Sequence, residues 1–157
     1  DTVLLHGSTV AVDGKAYLFT ASCGTGKSTH TRLWREVFGE RAVMINDDKP
    51  FLQITQGGVI AHGSPWSGKH GLDTNTCAPL KGVCILHRGE QNQIRPLTAD
   101  EALPMLCHQS YESVDASSRE KVFSLVEKLA QIVPQWEMDC TKEREATQVA
   151  FGAMSKR

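Results

Sequence analysis

Along the first half of the chain the apolar residues come in short runs broken by Gly, Pro, Asn and Asp, a pattern that predicts strands. Residues 2–5 form one such run, and over 8–12 Val10 and Val12 fall on one face. Asp13-Gly14 follows, and residues 15–20 resume the strand pattern. A two-residue Asp-Gly link predicts a hairpin, because both central positions need positive φ and these residues tolerate it. One segment then switches period: His30, Leu33, Trp34, Val37 and Phe38 recur at helical spacing, and Gly39 supplies a stop. Strand-like runs return at 41–45, 51–54, 58–61 and 81–86, with turns at Gln56-Gly57 and 88–93.

The C-terminal third is helical in pattern. Thr98 and Glu101 have the spacing of a capping box, opening a helix that Pro104 is expected to kink or interrupt. Residues 115–133 form an amphipathic helix carrying Val122, Phe123, Val126, Leu129 and Ile132, stopped by Pro134. Residues 135–140 read as one more strand, and Thr141 as the cap of a last helix running to about Met154. No internal repeat or linker interrupts the series, so residues 1–157 read as a single α/β domain with helices packed on a mixed, largely antiparallel sheet. The opening on Asp1, already in strand pattern, reads as a trimmed N-terminus rather than a signal peptide.

Composition narrows the class. Of 157 residues, 40% are hydrophobic and 22% charged, which argues against disorder and fibrous architectures. A formal net charge of −1 means that no nucleic-acid or anionic-membrane partner is expected on bulk electrostatics. No run approaches the roughly 18 apolar residues of a membrane span. The five cysteines, Cys23, Cys77, Cys84, Cys107 and Cys140, are scattered without a CxxC pair, which argues against structural zinc and suits a reduced, cytoplasmic protein.

The chemistry concentrates in Ser22, Cys23, Gly24, Thr25, Gly26, Lys27, Ser28 and Thr29, between a predicted strand and a predicted helix. Glycines there let consecutive N–H groups converge on phosphate oxygens, and the helix N-terminus adds the positive end of its dipole. Lys27 would reach the β- and γ-phosphates, and the Ser28 hydroxyl would ligate Mg²⁺. The strict phosphate-loop pattern wants Gly where Ala21 stands. Asp47 and Asp48 follow Lys27 by about 20 residues. A β-α-β crossover makes the strands before the loop and before the aspartates parallel, so both end at one edge of the sheet. One carboxylate there can hold Mg²⁺ while the other takes a proton from an attacking hydroxyl.

The order His6-Gly7, hairpin, S-x-G-x-G-K-S, Asp-Asp resembles the catalytic domain of bacterial HPr kinase/phosphorylase, and the loop wording also resembles phosphoenolpyruvate carboxykinase of the same superfamily. The resemblance covers about residues 4–54. It implies an HPr kinase C-terminal-domain or carboxykinase-like fold with a P-loop. Position by position, it implies that Gly24, Gly26, Lys27 and Ser28 cradle nucleotide phosphate, that Asp47 is the general base/acid, that Asp48 is the metal-side carboxylate and that His6 assists Asp47. It also implies a tendency to assemble, so a homo-oligomer is a candidate state. Further along, residues 63–70 reproduce GxxxxGK without the following Ser/Thr, and the Pro65-Trp66-Ser67-Gly68-Lys69 wording is similar to a loop of small HPr-kinase-like proteins. Trp66 and Lys69 are candidates to close over the acceptor or the γ-phosphate, with a surface loop as the alternative. Arg88 and Arg95 flank a turn, and Arg95 is the preferred candidate for a phosphate contact because Pro96 holds its backbone.

These readings converge on an ATP- and Mg²⁺-dependent kinase acting on a hydroxyl acceptor, either a protein serine or a small molecule. Reverse phosphorylase activity is a further expectation of the resemblance. The alternatives are a non-catalytic nucleotide-sensing module and a carboxykinase-like enzyme, the latter disfavoured by chain length.

Overall fold

A computed structural model describes residues 1–21, 26–64, 76–111 and 115–156. The described residues form nine strands and four helices. The strands are β1 (Thr2–Leu4), β2 (Ser8–Val12), β3 (Lys15–Thr20), β4 (Ala42–Asn46), β5 (Phe51–Thr55), β6 (Gly58–His62), β7 (Cys77–Arg88), β8 (Gln93–Leu97) and β9 (Gln135–Cys140). The helices are α1 (Lys27–Phe38), α2 (Ala99–Gln109), α3 (Ala116–Ile132) and α4 (Glu145–Met154).

β2 and β3 form the hairpin that Asp13-Gly14 predicts, with Asp13 at φ 53° and Gly14 at φ 80°. β4 lies antiparallel on the other side of β2. β3 and β4 are therefore parallel to each other, as the crossover logic requires, but β2 lies between them. β7 joins two sheet halves: its start pairs antiparallel with β6, while its later part runs parallel between β3 and β9. β1, β5 and β6 continue from that first part, and β8 closes the far side against β9. The sheet is thus mixed and largely antiparallel, and it curls so that its two halves share a core.

That core contains Leu5, Leu52 and Ala61 from one half of the sheet and Ala11, Leu18 and Ile45 from the other, with Leu106 of α2 and Leu129 of α3 against them. The opposite face packs Val10, Tyr17, Phe19, Met44 and Met138 under Trp34 of α1 and Ala150 of α4. In β4 the pairing slips by one residue: Val10 faces Met44, but Thr9 faces Asn46, so Ile45 is a bulge.

Several expected bounds shift for physical reasons. Pro104 does not interrupt α2, which is held by a complete capping box at Thr98 and Glu101 and by buried Ala102 and Leu106. Phe123 and Ile132 point away from the α3 core face, at 47% and 46% exposure, because at 100° per residue they fall beside the row of Val126 and Leu129. Thr141 caps a turn, accepting from the Glu143 N–H at 3.2 Å, and α4 starts only at Glu145. β8 begins where the expected 88–93 turn ends, in a stretch for which no element is predicted, and its Pro96 is tolerated because among the described residues β8 pairs on one side alone. Among the described residues, no helix is long and apolar enough to cross a membrane.

Candidate active site

The end of β3 and the start of α1 create the setting. Phe19, Thr20 and Ala21 are fully buried. Gly26 precedes α1 at φ 95°, a backbone state that glycine takes without strain. Lys27, Ser28 and Thr29 form the partly buried first turn of α1, whose leading N–H groups have no acceptor within the helix. No acidic residue stands in that turn to offset the positive end of the helix dipole. The Lys27 ammonium bends back to donate to the Ala21 carbonyl at 3.3 Å. Ser22, Cys23, Gly24 and Thr25 lie outside the described residues, as do Trp66 and Lys69.

The two aspartates leave β4 in different directions. Asp47 is 6% exposed and accepts a 2.6 Å hydrogen bond from the hydroxyl of Ser8. The Ser8 oxygen lies 2.8 Å from the hydroxyl of Thr31, whose oxygen is in turn 3.3 Å from the carbonyls of Lys27 and Ser28. A short chain of hydroxyls therefore ties Asp47 to the first turn of α1. The bulge at Ile45 produces this aim. Met44 belongs to the α1 face, Ile45 and Asn46 together oppose Thr9, and Asp47 returns to the α1 face beside Ser8.

Asp48 turns to the other side, where its Oδ1 meets His6 Nε2 at 3.1 Å and its Oδ2 lies 3.8 Å from the Lys49 ammonium. His6 is expected beside Asp47; the structure pairs it with Asp48 instead, because successive side chains here diverge. Asn46 pins the turn by accepting from the N–H groups of Asp48 and Lys49 at 2.8 and 2.7 Å, while its own amide donates to Ser64. Gly7, between His6 and Ser8, donates to the Asp48 carbonyl at 3.0 Å. A Cβ on Gly7 would stand 2.9 Å from the Phe19 carbonyl oxygen, so only glycine lets this turn lie on β3. Tyr111 completes the outer side: its ring sits edge-on to His6 at 6.3 Å, with the Lys49 ammonium 5.2 Å above it. Burial, and secondarily the negative Asp48, push the Tyr111 phenol above its ordinary range.

Behind α1, His30 is buried against Phe19, and its Nε2 accepts from the Trp34 indole at 3.0 Å. Burial lowers its pKa to about 4, so it is a neutral packing group at pH 7. Arg95 is not part of this arrangement. It lies on β8, with β9 and β7 between it and β3, and its guanidinium is taken by Glu101 at 3.2 Å and Glu137 at 2.6 Å. The two acids turn it toward α2 and β9 rather than toward Lys27. Arg88 ends β7, paired with Cys140 in register.

Among the described residues, no group of three or more His, Cys, Asp or Glu side chains gathers to hold a metal ion. Ser28 stands in the partly buried first turn of α1, and Asp48, the expected metal-side carboxylate, already meets His6 and Lys49. Sequence reasoning misses Ser8, Thr31, Asn46 and Tyr111. The available signals were a polar Ser8 in step with inward-facing Val10 and Val12, and Thr31 one helical turn after Lys27.

A family model for SynChlorMet cassette protein ScmC matches residues 1–143. The chain belongs to that family. No curated protein matches it in sequence. Among solved structures, the Hpr(Ser) kinase/phosphatase from Coxiella burnetii is similar at a TM-score of 0.53 and 12% sequence identity, covering 97% of this chain and 98% of that one. At that identity the likeness is one of fold, and it extends over nearly the whole chain rather than the first third where the motifs lie.

Proposed function

We propose that the chain is an ATP- and Mg²⁺-dependent phosphotransferase that moves a γ-phosphoryl group to a hydroxyl acceptor. The observation that carries this reading is the hydroxyl chain linking Asp47 to the first turn of α1, within an HPr kinase-like fold. Lys27 and the opening N–H groups of α1 bind and orient the nucleotide phosphates. Asp47 accepts the acceptor's proton through the carboxylate oxygen that Ser8 does not engage. His6 and Lys49 hold Asp48, and Asn46 fixes the turn from which both carboxylates project. Bound Mg²⁺, held by Ser28 and one carboxylate, would supply charge neutralisation on the phosphates. Ser22, Cys23, Gly24, Thr25 and Thr29 complete the nucleotide contacts in this reading, and Trp66 and Lys69 remain candidates for the acceptor side.

The test is to incubate the chain with γ-labelled ATP, Mg²⁺ and serine-containing peptides or small-molecule alcohols, comparing wild type with Asp47→Ala. Label transfer that falls about a hundredfold or more in Asp47→Ala is the expected result. Absence of both label transfer and calorimetric MgATP binding would overturn the proposal.

A second reading, nucleotide sensing without catalysis, is favoured by one observation: both Asp48 oxygens already face side-chain partners, the His6 imidazole and the Lys49 ammonium. In that case Asp47→Asn retains MgATP affinity and the wild type transfers no label.

A further inference from the structure

β7, β9 and β8 lay one row of side chains across the sheet beneath α2: Ile85 stands in register with Glu137, and Glu137 with Arg95. Pro104 and Met105 of α2 face this row, and between helix and strands a cavity of about 530 Å³ stays open. Ile85, Leu97, Pro104 and Met105 give it an apolar wall. A second cavity of about 240 Å³ shares Arg95 and Glu137 with the first and reaches Asp139, two residues further along β9. Protein sites for small molecules fall in the same range, roughly 300–1,000 Å³, with apolar walls and a few fixed polar groups. None of these residues belongs to the candidate phosphate site. The last turn of α2 places His108 on the cavity, while the next residue, Gln109, accepts from the His6 N–H at 2.8 Å.

The polar groups select the charge of an occupant. Among the described residues, Arg95 is the one Lys or Arg on these walls, and its guanidinium is shared between Glu101 at 3.2 Å and Glu137 at 2.6 Å. Glu101 is held from behind, its other oxygen accepting from the Thr98 N–H at 3.0 Å. The other oxygen of Glu137 meets His87 Nε2 at 3.1 Å. An anionic ligand would have to compete with these two carboxylates for Arg95. A cationic one displaces nothing, because three carboxylates face one guanidinium and among the described residues no cation pairs with exposed Asp139. His87 and His108 add ring nitrogens that can hydrogen-bond it. We propose that the cavity under α2 binds a small organic cation, an apolar body ending in an amine or guanidinium. The body lies against Ile85, Leu97, Pro104 and Met105, and the charge is directed toward Glu137 and Asp139. This site is distinct from the candidate phosphate site and does not depend on the chain being a kinase.

The experiment titrates the chain at about pH 7.5 with 4-phenylbutylamine, 4-phenylbutanol and 4-phenylbutyrate, which share one body and differ in the charge of the end group. Binding is followed through the methyl signals of Ile85, Leu97 and Met105 by NMR. The amine is expected to shift all three methyls and to bind about threefold or more tighter than the alcohol, with the carboxylate weakest. Asp139→Asn and Glu137→Gln each reduce the advantage of the amine and leave the affinity for the alcohol in place. Asp139 is exposed, so Asp139→Asn keeps the test valid where Glu137→Gln loosens α2. Nα-acetyl-lysine methylamide, a stand-in for a basic peptide side chain, binds more weakly than 4-phenylbutylamine because it brings less apolar surface. Several results would sink the proposal: no binding, equal affinity for amine and alcohol, shifts confined to other methyls, or an amine preference that survives both variants. Tighter binding of the lysine derivative would assign the cavity to a peptide instead. The readout uses neither nucleotide nor turnover, so it stands or falls apart from the phosphotransferase reading.

Discussion

Gly7 and His30 show how single residues hold this site without touching a ligand. Gly7 lets the turn between His6 and Ser8 lie directly on β3, and a methyl group there meets the Phe19 carbonyl, a backbone atom that cannot swing aside. Gly7→Ala is expected to cost about 1–3 kcal/mol and to lower MgATP affinity, because His6 and Ser8 move with the turn. Urea unfolding and calorimetry on the same variant check both effects. His30 carries a different consequence. In the unfolded chain its imidazole titrates near 6.5, but burial lowers it to about 4 in the folded protein. Between those values the unfolded state binds a proton that the folded state refuses, so stability falls as pH drops through that window. It levels off above the window, and the full effect is at most on the order of 3 kcal/mol. Urea midpoints measured from pH 7.5 down to 4 should show this slope in wild type and a flatter one in His30→Gln.

At the scale of elements, local rules account for much of what the chain does. The Thr98–Glu101 box is legible in the sequence and present in full, so Thr98→Ala should cost about 1 kcal/mol, measured as a shift in the urea midpoint without a change in slope. The Asp13-Gly14 hairpin, α1 with its buried His30, Leu33 and Trp34, and the parallel relation of β3 and β4 are equally legible, since each follows from turn chemistry, period or crossover. β8 was not, because Pro96 and alternating polar residues hide an edge strand. The candidate site divides in the same way. Lys27, Asp47 and Asp48 announce themselves by type and spacing. Ser8 and Thr31 do not, because a hydroxyl in a strand and another in a helix become a pair only through the tertiary contact of α1 with β2. Nor does spacing reveal that His6 meets Asp48 rather than Asp47.

For the molecule as a whole, β7 is the seam. One half of the strand belongs to the curled sheet of β1, β5 and β6, the other to the sheet that presents the candidate site, and Leu52 and Leu18 belong to the one core that both halves line. Leu52→Ala should therefore cost about 2–5 kcal/mol and leave a single cooperative unfolding transition. Two transitions, with α1 fluorescence from Trp34 surviving the first, would show instead that the halves fold independently. The bulge in β4 has a consequence of another kind. A strand end counts in twos, and the extra residue at Ile45 changes the parity of everything after it. Which of two chemically identical neighbours looks toward α1, and which toward His6, is set by a count rather than by a side chain. Exchanging residue types along β4 leaves that assignment alone, whereas removing one residue reverses it. In this part of the molecule, chain length itself carries the chemical instruction.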